Sequence, residues 1–373
     1  MTVIDAFPGS RAGLARTYIG GPLGETRLQG GFTHLLEHLA FGQGASRTSL
    51  FNTAAQHEVN LNGYTSNSFV AFTAEGPSLD RCKAVLDRLS LHPDHSSLAI
   101  RQECDEIAVE HRAVTNTRYE TIKEKALAVA FGMQPIGGSI ISMTGLHERA
   151  TPEALNKFKS ALFSPDNELI FLTEPLCMPG DAPFLLAKHA SPFYKYQHID
   201  MTKFNGEVYT TPGLTSETLI AFPVASGVQT DAALILCRLL SKVVQPGVDL
   251  SVLPLPGASI FLCAGPTEHP MFEDVQSGLR RYQRVSPHTV RRTALEVRHE
   301  LVSPGPGRQL ALITAQMADH EILRLNTISP QSVETMIEGL GDEVRALARV
   351  FLKRYFILKT TGTGEGNGRA TTL

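Results

Sequence analysis

The sequence predicts an α+β protein of two related domains, each a mostly antiparallel sheet packed with helices, joined by a linker. Three observations carry this. A chain of 373 residues and 40.5 kDa exceeds what one hydrophobic core organises, so two domains are expected. Its 42% hydrophobic and 19% charged residues are ordinary for a folded globular chain. Finally, an order of strand, glycine-containing loop and apolar helix appears twice, first in RAGLARTYIG…FTHLLEHLAF and again in SETLIAFPVASG…TDAALILCRLLSKVV.

Taken in order, residues 11–20 have strand character and run into the Gly/Pro loop GGPLGETRLQGG. FTHLLEHLAF follows as an apolar helix closed by Gly42, a residue suited to the left-handed turn after a helix. A polar loop is expected next. NGYTSNSFVAFTAEGP then reads as a turn and a strand, with Phe69, Ala71 and Thr73 alternating against Val70, Phe72 and Ala74. PSLDRCKAVLDRLSL reads as an amphipathic helix, and SSLAIRQECDEIAVEHRAVTN as a longer one resuming in ETIKEKALAVAFG. SPDNELIFLTEPLCMPGDAP supplies the last strand of the first domain and the start of a linker. These readings divide the chain into residues 1–190 and 205–360, with the Gly/Thr-rich stretch 361–373 expected to be disordered.

Composition removes several classes of function. A formal charge of −3 and a pI near 6.5 provide no basic field for nucleic acid. No apolar run reaches the roughly 18 residues that span a bilayer, so no membrane role is expected. The first residues lack the charged and apolar regions of a secretory signal. The five cysteines are scattered, without a CxxC pair, and read as reduced thiols of a cytoplasmic protein.

The chemistry concentrates in His34-Leu35-Leu36-Glu37-His38. On a helix these two imidazoles and the carboxylate fall within one arc of roughly 100°, with Leu35, Leu36 and Leu39 on the other side. Imidazoles four residues apart can grip one cation, and a carboxylate between them is placed to accept a proton from water. The order is HxxEH, the inverted form of HExxH. Catalytic zinc takes a third protein ligand. Glu103, Glu106 and Glu110 share a helix face with Ile100, Ile107 and Val114, an apolar setting that fits a stripe aimed at a cation better than a solvated one.

With HLLEH followed by ECDEIAVEH, the chain resembles the inverzincin metallopeptidases, the family of pitrilysin, insulin-degrading enzyme and the mitochondrial processing peptidase. The resemblance implies that His34, His38 and Glu110 hold one zinc ion, Glu37 is the general base, and Glu103 assists from behind the ligands. NGYTSNSFVAF resembles the family's Asn-Ala-x-Thr strand, whose edge pairs with an extended substrate, which implies peptide contacts at Asn62, Gly63 and Tyr64. QPIGGSIISMTGLHERATPEALNKF resembles the segment after the ligand helix. The likeness is specific over about residues 10–200 and only architectural over 210–360.

It also implies a half-length catalytic subunit that pairs with another chain around a chamber. Family members carry an Arg and a Tyr in the metal-free half. The matching stretch, VVQPGVDLSVLPLPGASIFLCAGP, contains neither, so a related chain supplying them is a more fitting partner than a second copy. The expected function is zinc endopeptidase action on short unfolded leader, signal or precursor peptides. The alternative is a non-catalytic structural or peptide-binding subunit.

Overall fold

The computed structural model describes residues 2–5, 11–21, 24–26, 28–66, 69–91, 95–115, 119–131, 145–173, 199–213, 216–225, 228–255, 258–302, 330–362 and 371–372. They form two compact units. The first draws on Met1–Ala113, Gly138–Lys195 and Leu301–His320, the second on Val114–Gly137, Tyr196–Glu300 and Glu321–Leu373.

The first unit is built on β1 (Thr2–Asp5), β2 (Ala12–Ile19), β3 (Asn60–Thr65), β4 (Phe69–Gly76) and β5 (Glu168–Thr173), ordered β1–β5–β2–β4–β3. Only the β1–β5 pair is parallel; the other neighbours are antiparallel. Strand β4 is buried on both faces from Phe69 to Ala74, so its two alternating sets both serve as core. Around the sheet lie α1 (Phe32–Ala40), α2 (Gly44–Gln56), α3 (Leu79–Leu86), α4 (Ser97–Thr115), α6 (Leu146–Arg149) and α7 (Pro152–Leu162). Helix α1 packs on β3 and β4 and buries Leu35, Leu36 and Leu39, each contributing roughly 1.5–3 kcal/mol. Gly42 closes it at φ 75°, where a residue with a Cβ is strained.

The second unit repeats the plan. Its sheet holds β6 (Val208–Gly213), β7 (Glu217–Ala225), β8 (Asp249–Leu255), β9 (Ala258–Pro266), β10 (Phe356–Gly362) and β11 (Thr371–Thr372), ordered β11–β6–β10–β7–β9–β8. Setting β11 aside, the order matches the first sheet strand for strand, including one parallel pair, β6 with β10. Helix α8 (Val228–Leu240) follows β7 as α1 follows β2, and packs on β7 and β8. Helices α9 (Met271–Tyr282), α10 (Pro287–Val302) and α11 (Pro330–Phe351) belong to the same half of the chain. Among the described residues, no helix is long and apolar enough to cross a membrane.

Several elements differ from the sequence reading. The polar loop after Gly42 contains α2. That helix buries only Leu50 and Ala54, too little for an amphipathic pattern to show. The segment read as a turn is strand β3, hairpinned to β4. Helix α5 (Glu120–Phe131), placed by sequence within residues 1–190, packs on β7, β9 and β10 of the second unit through Ile122, Ala126, Leu127, Val129 and Ala130. The units thus interleave where the sequence reading runs them end to end. The tail read as disordered begins inside β10 and ends in β11, which pairs with β6; residues 363–370 lie outside the described set.

Candidate metal centre

The start of α1 is fixed by a group that the motif does not contain. Gly31 is the N-cap in the left-handed region, at φ 88°, and has no side chain to cap with. The Glu25 carboxylate does this instead, accepting from the Gly31 N–H at 2.8 Å and the Thr33 N–H at 2.7 Å. Glu25 is 2% exposed, and burial pushes its carboxyl above the ordinary range. Arg149 donates to the Gly30 carbonyl at 3.1 Å and ties α6 to the same entry turn. A buried carboxylate on the first two free N–H groups of a helix satisfies donors that would otherwise be orphaned.

From this helix His34 and His38 project side by side, ring centroids 4.8 Å apart and nearly perpendicular. Glu110, from α4, brings Oε2 to 3.6 Å from His34 Nε2 and 3.3 Å from His38 Nε2. One ligand atom from each of the three lies within 4.8 Å of the others. Burial, with His38 beside it, pulls His34 down to about 3, so the imidazole is neutral and keeps a lone pair to donate. Its Nδ1 is buried without a hydrogen-bond partner. Two imidazole nitrogens and one carboxylate oxygen form the donor set of a catalytic zinc, so these residues fit such an ion.

Glu37 stands beside this cluster, Oε2 3.9 Å from His34 Nε2, and accepts a hydrogen bond from the Thr65 hydroxyl at 2.7 Å. Burial pushes its carboxyl up, although Thr65 and His38 pull the other way. A base raised toward neutrality is better matched to moving protons. Glu103, 4% exposed, faces the far side of His38: its Oε2 lies 3.3 Å from Nδ1. Burial opposes its charge, but bonds from His38, Arg47 and Gln43 hold it down at about 2. His38 itself loses to burial and gains more from Glu103, Glu37 and Glu110, ending above its ordinary value.

The third carboxylate of the predicted stripe, Glu106, is exposed and joins no such cluster among the described residues, and Glu110 is 45% exposed rather than sheltered. Among the described residues, strand β3 is the edge of the first sheet, with Asn62 exposed and Tyr64 48% exposed. Gly63 is the member of that trio brought to the Glu37 carboxylate. A Cβ there would sit 2.5 Å from Glu37 Oε1 and 2.7 Å from Phe41 Cε2. His57, His95 and His111 are partly exposed and outside the cluster; His92 and His320 lie outside the described residues. In the second unit Tyr282 is buried and donates to the Leu239 carbonyl at 2.8 Å, so its hydroxyl serves the core. Sequence reasoning missed Glu25, Arg47, Gln43 and the role of Thr65; Thr65 alone carried a signal, as the last residue of the Asn-x-x-Thr stretch.

Residues 13–144 match the insulinase family, peptidase family M16. No curated protein sequence matches the chain. Among solved structures it resembles a protease from Helicobacter pylori, with a TM-score of 0.75 and 13% identity over 96% of each chain. It also resembles an M16-like peptidase from Alicyclobacillus acidocaldarius, with a TM-score of 0.66 and 15% identity over 96% of each chain. A chain of Complex III2 from Candida albicans, bound to Inz-5, gives a TM-score of 0.66 at 11% identity, covering 96% of this chain and 92% of that one. The segment carrying the histidine pair and the glutamate helix therefore matches the insulinase peptidase family, on a chain that shares the fold of M16-like proteases.

Proposed function

We propose that the chain is a zinc metalloendopeptidase acting on short, unfolded peptides, with one zinc ion held by His34, His38 and Glu110. The observation that carries the reading is the convergence of these three ligand atoms within 4.8 Å, beside the mostly shielded Glu37 carboxylate, which is not one of them. Bound there, zinc supplies Lewis acidity, polarising a peptide carbonyl and acidifying water. Glu37 accepts the proton of the attacking water and returns it to the leaving amine. The Thr65 hydroxyl on Oε2 orients that carboxylate, and Oε1 lies toward Gly63. Glu103 holds His38 from behind. Asn62, Gly63 and Tyr64 on the open edge of β3 receive an extended peptide by strand addition, running its backbone past Glu37. Leader, signal or precursor peptides have the required unfolded form.

The working unit in this reading is a dimer, and a related chain carrying the missing Arg and Tyr suits it better than a second copy. The buried free thiols Cys82, Cys104 and Cys263 accord with a reducing compartment such as the cytoplasm. The second reading is a non-catalytic structural or peptide-binding subunit. Metal content and Glu37→Gln separate the two. An endopeptidase purifies with about one zinc per chain, and Glu37→Gln keeps the zinc while losing about 10²–10⁴-fold in peptide cleavage. Wild-type protein without zinc, or a Glu37→Gln variant as active as wild type, sinks the proposal.

A further inference from the structure

Arg47, at the end of the first turn of α2, reaches three acceptors around the end of α1. Its Nε donates to the Gly42 carbonyl at 2.8 Å, and its Nη2 to the His38 carbonyl at 3.2 Å and to Glu103 Oε1 at 2.7 Å. Gln43 Nε2 donates to the same Oε1 at 3.2 Å while anchored on the Ala99 carbonyl at 2.8 Å. With Oε1 taken twice, the Glu103 carboxylate turns Oε2 to His38 Nδ1.

An ionised carboxylate can only accept hydrogen bonds. The neutral His38 ring must then carry its hydrogen on Nδ1, which leaves the lone pair on Nε2, the atom facing Glu110. We propose that Arg47 is a positioning residue that aims Glu103 at His38 and so sets the ring tautomer and orientation a cation needs. The side chain of Arg47 is 33% exposed, and a partly solvated ion pair contributes little stability of its own. What the guanidinium offers is geometry: one planar group spans the end of α1 and the carboxylate on α4.

The competing explanation is that Arg47 merely caps the last turn of α1 through the His38 and Gly42 carbonyls. The test uses the full chain with Arg47→Met and Arg47→Lys, since Lys keeps the charge but not the fork. Nitrogen-15 NMR of the metal-free, histidine-labelled protein, above the histidine titration range, is expected to show His38 losing its Nδ1–H preference in both variants. Zinc affinity, measured by competition with a chromophoric chelator, is expected to fall about 10–100-fold. The Arg47→Met/Glu103→Gln double variant should bind zinc no more weakly than Glu103→Gln alone, because Arg47 acts through Glu103.

An unchanged His38 tautomer and zinc affinity, with only thermal stability lowered, overturns the proposal and leaves a helix cap. If Arg47→Met does not fold, Arg47→Lys carries the test. The zinc arm rests on the proposed function, whereas the tautomer arm does not. A wild-type protein that binds no zinc therefore defeats the peptidase reading, and the NMR result still decides the role of Arg47.

Discussion

Glu103 and Glu110 sit two helical turns apart and do different work, because α4 turns one toward His38 Nδ1 and the other toward the two Nε2 atoms. Substituting either therefore has a different signature. Glu110→Ala is expected to lose most of the zinc, as are His34→Ala and His38→Ala. Glu103→Ala should retain zinc at saturating metal with lowered turnover. Metal analysis after desalting checks this, and full zinc retention by Glu110→Ala would remove it as third ligand. A subtler change is Thr65→Val, which takes the donor off Glu37 Oε2. A hydrogen bond to a charged group contributes about 1.5–3 kcal/mol, so kcat should drop roughly ten- to a hundredfold with zinc content unchanged. At this scale the sequence shows which side chains of α1 gather, because helical spacing places His34, Glu37 and His38 on one face. It was silent about Glu25, Gln43 and Arg47, whose partners depend on where separate elements meet.

Helix α1 depends on a carboxylate from a preceding loop, and this dependence can be measured. Glu25→Gln turns one acceptor into an amide N–H₂ facing a backbone N–H, an unsatisfied contact costing about 1–3 kcal/mol. Amide exchange of the first turn of α1 should speed up, while the β9 amides of the second unit stay protected. Equal loss in both would mean global unfolding rather than fraying of α1. The legible and illegible elements divide along the same lines. Helix α1 was readable because a run of leucines faces the core. Helix α2 was not, since only Leu50 and Ala54 are buried and the rest of its surface is polar. By local pattern the start of β3 reads as a turn, because Asn-Gly is a strong turn signal, and only the likeness to an Asn-Ala-x-Thr strand points to an edge strand there. Pairing with β4 overrides that preference through a six-residue register from Asn60–Glu75 to Thr65–Val70. If substrates extend this sheet, N-methylation of a peptide at alternate residues should raise KM markedly in one phase and little in the other.

Across the whole molecule, two sheets share a strand order, but among the described residues only one of the paired helices carries two members of a His-His-Glu cluster. Where α1 has His34, Glu37 and His38, α8 offers a run of Ala, Leu and Ile that is largely buried. Zinc added to the metal-free protein should therefore raise exchange protection in α1 and α4 and leave α8 unchanged. The duplication was visible in the sequence as a repeated strand, loop and helix. The interleaving of the units was not, because α5 has the same apolar pattern whichever sheet it covers. Purified alone, the chain should be metal-loaded but slow, and a related chain bearing the Arg and Tyr absent from Val243–Pro266 should accelerate cleavage. Full activity at a concentration where the chain is shown to be alone or self-paired would sink the two-chain scheme.

Among the described residues β3 is an edge strand with nothing paired on its outer side, and this bears on how the protein behaves in solution. The strand's sequence, Asn-Leu-Asn-Gly-Tyr-Thr, contains no charge and no proline, whereas β8, the matching edge of the other sheet, carries Asp249 and Pro254. Charges and prolines are the usual guards against edge-to-edge aggregation. An unguarded edge that can accept a peptide can equally accept the same strand from a neighbouring molecule, so readiness for substrate and tendency to self-associate are one property. Concentrated protein should scatter light less when a non-cleavable extended peptide is present, and a lysine at Asn62 should improve solubility while weakening peptide binding.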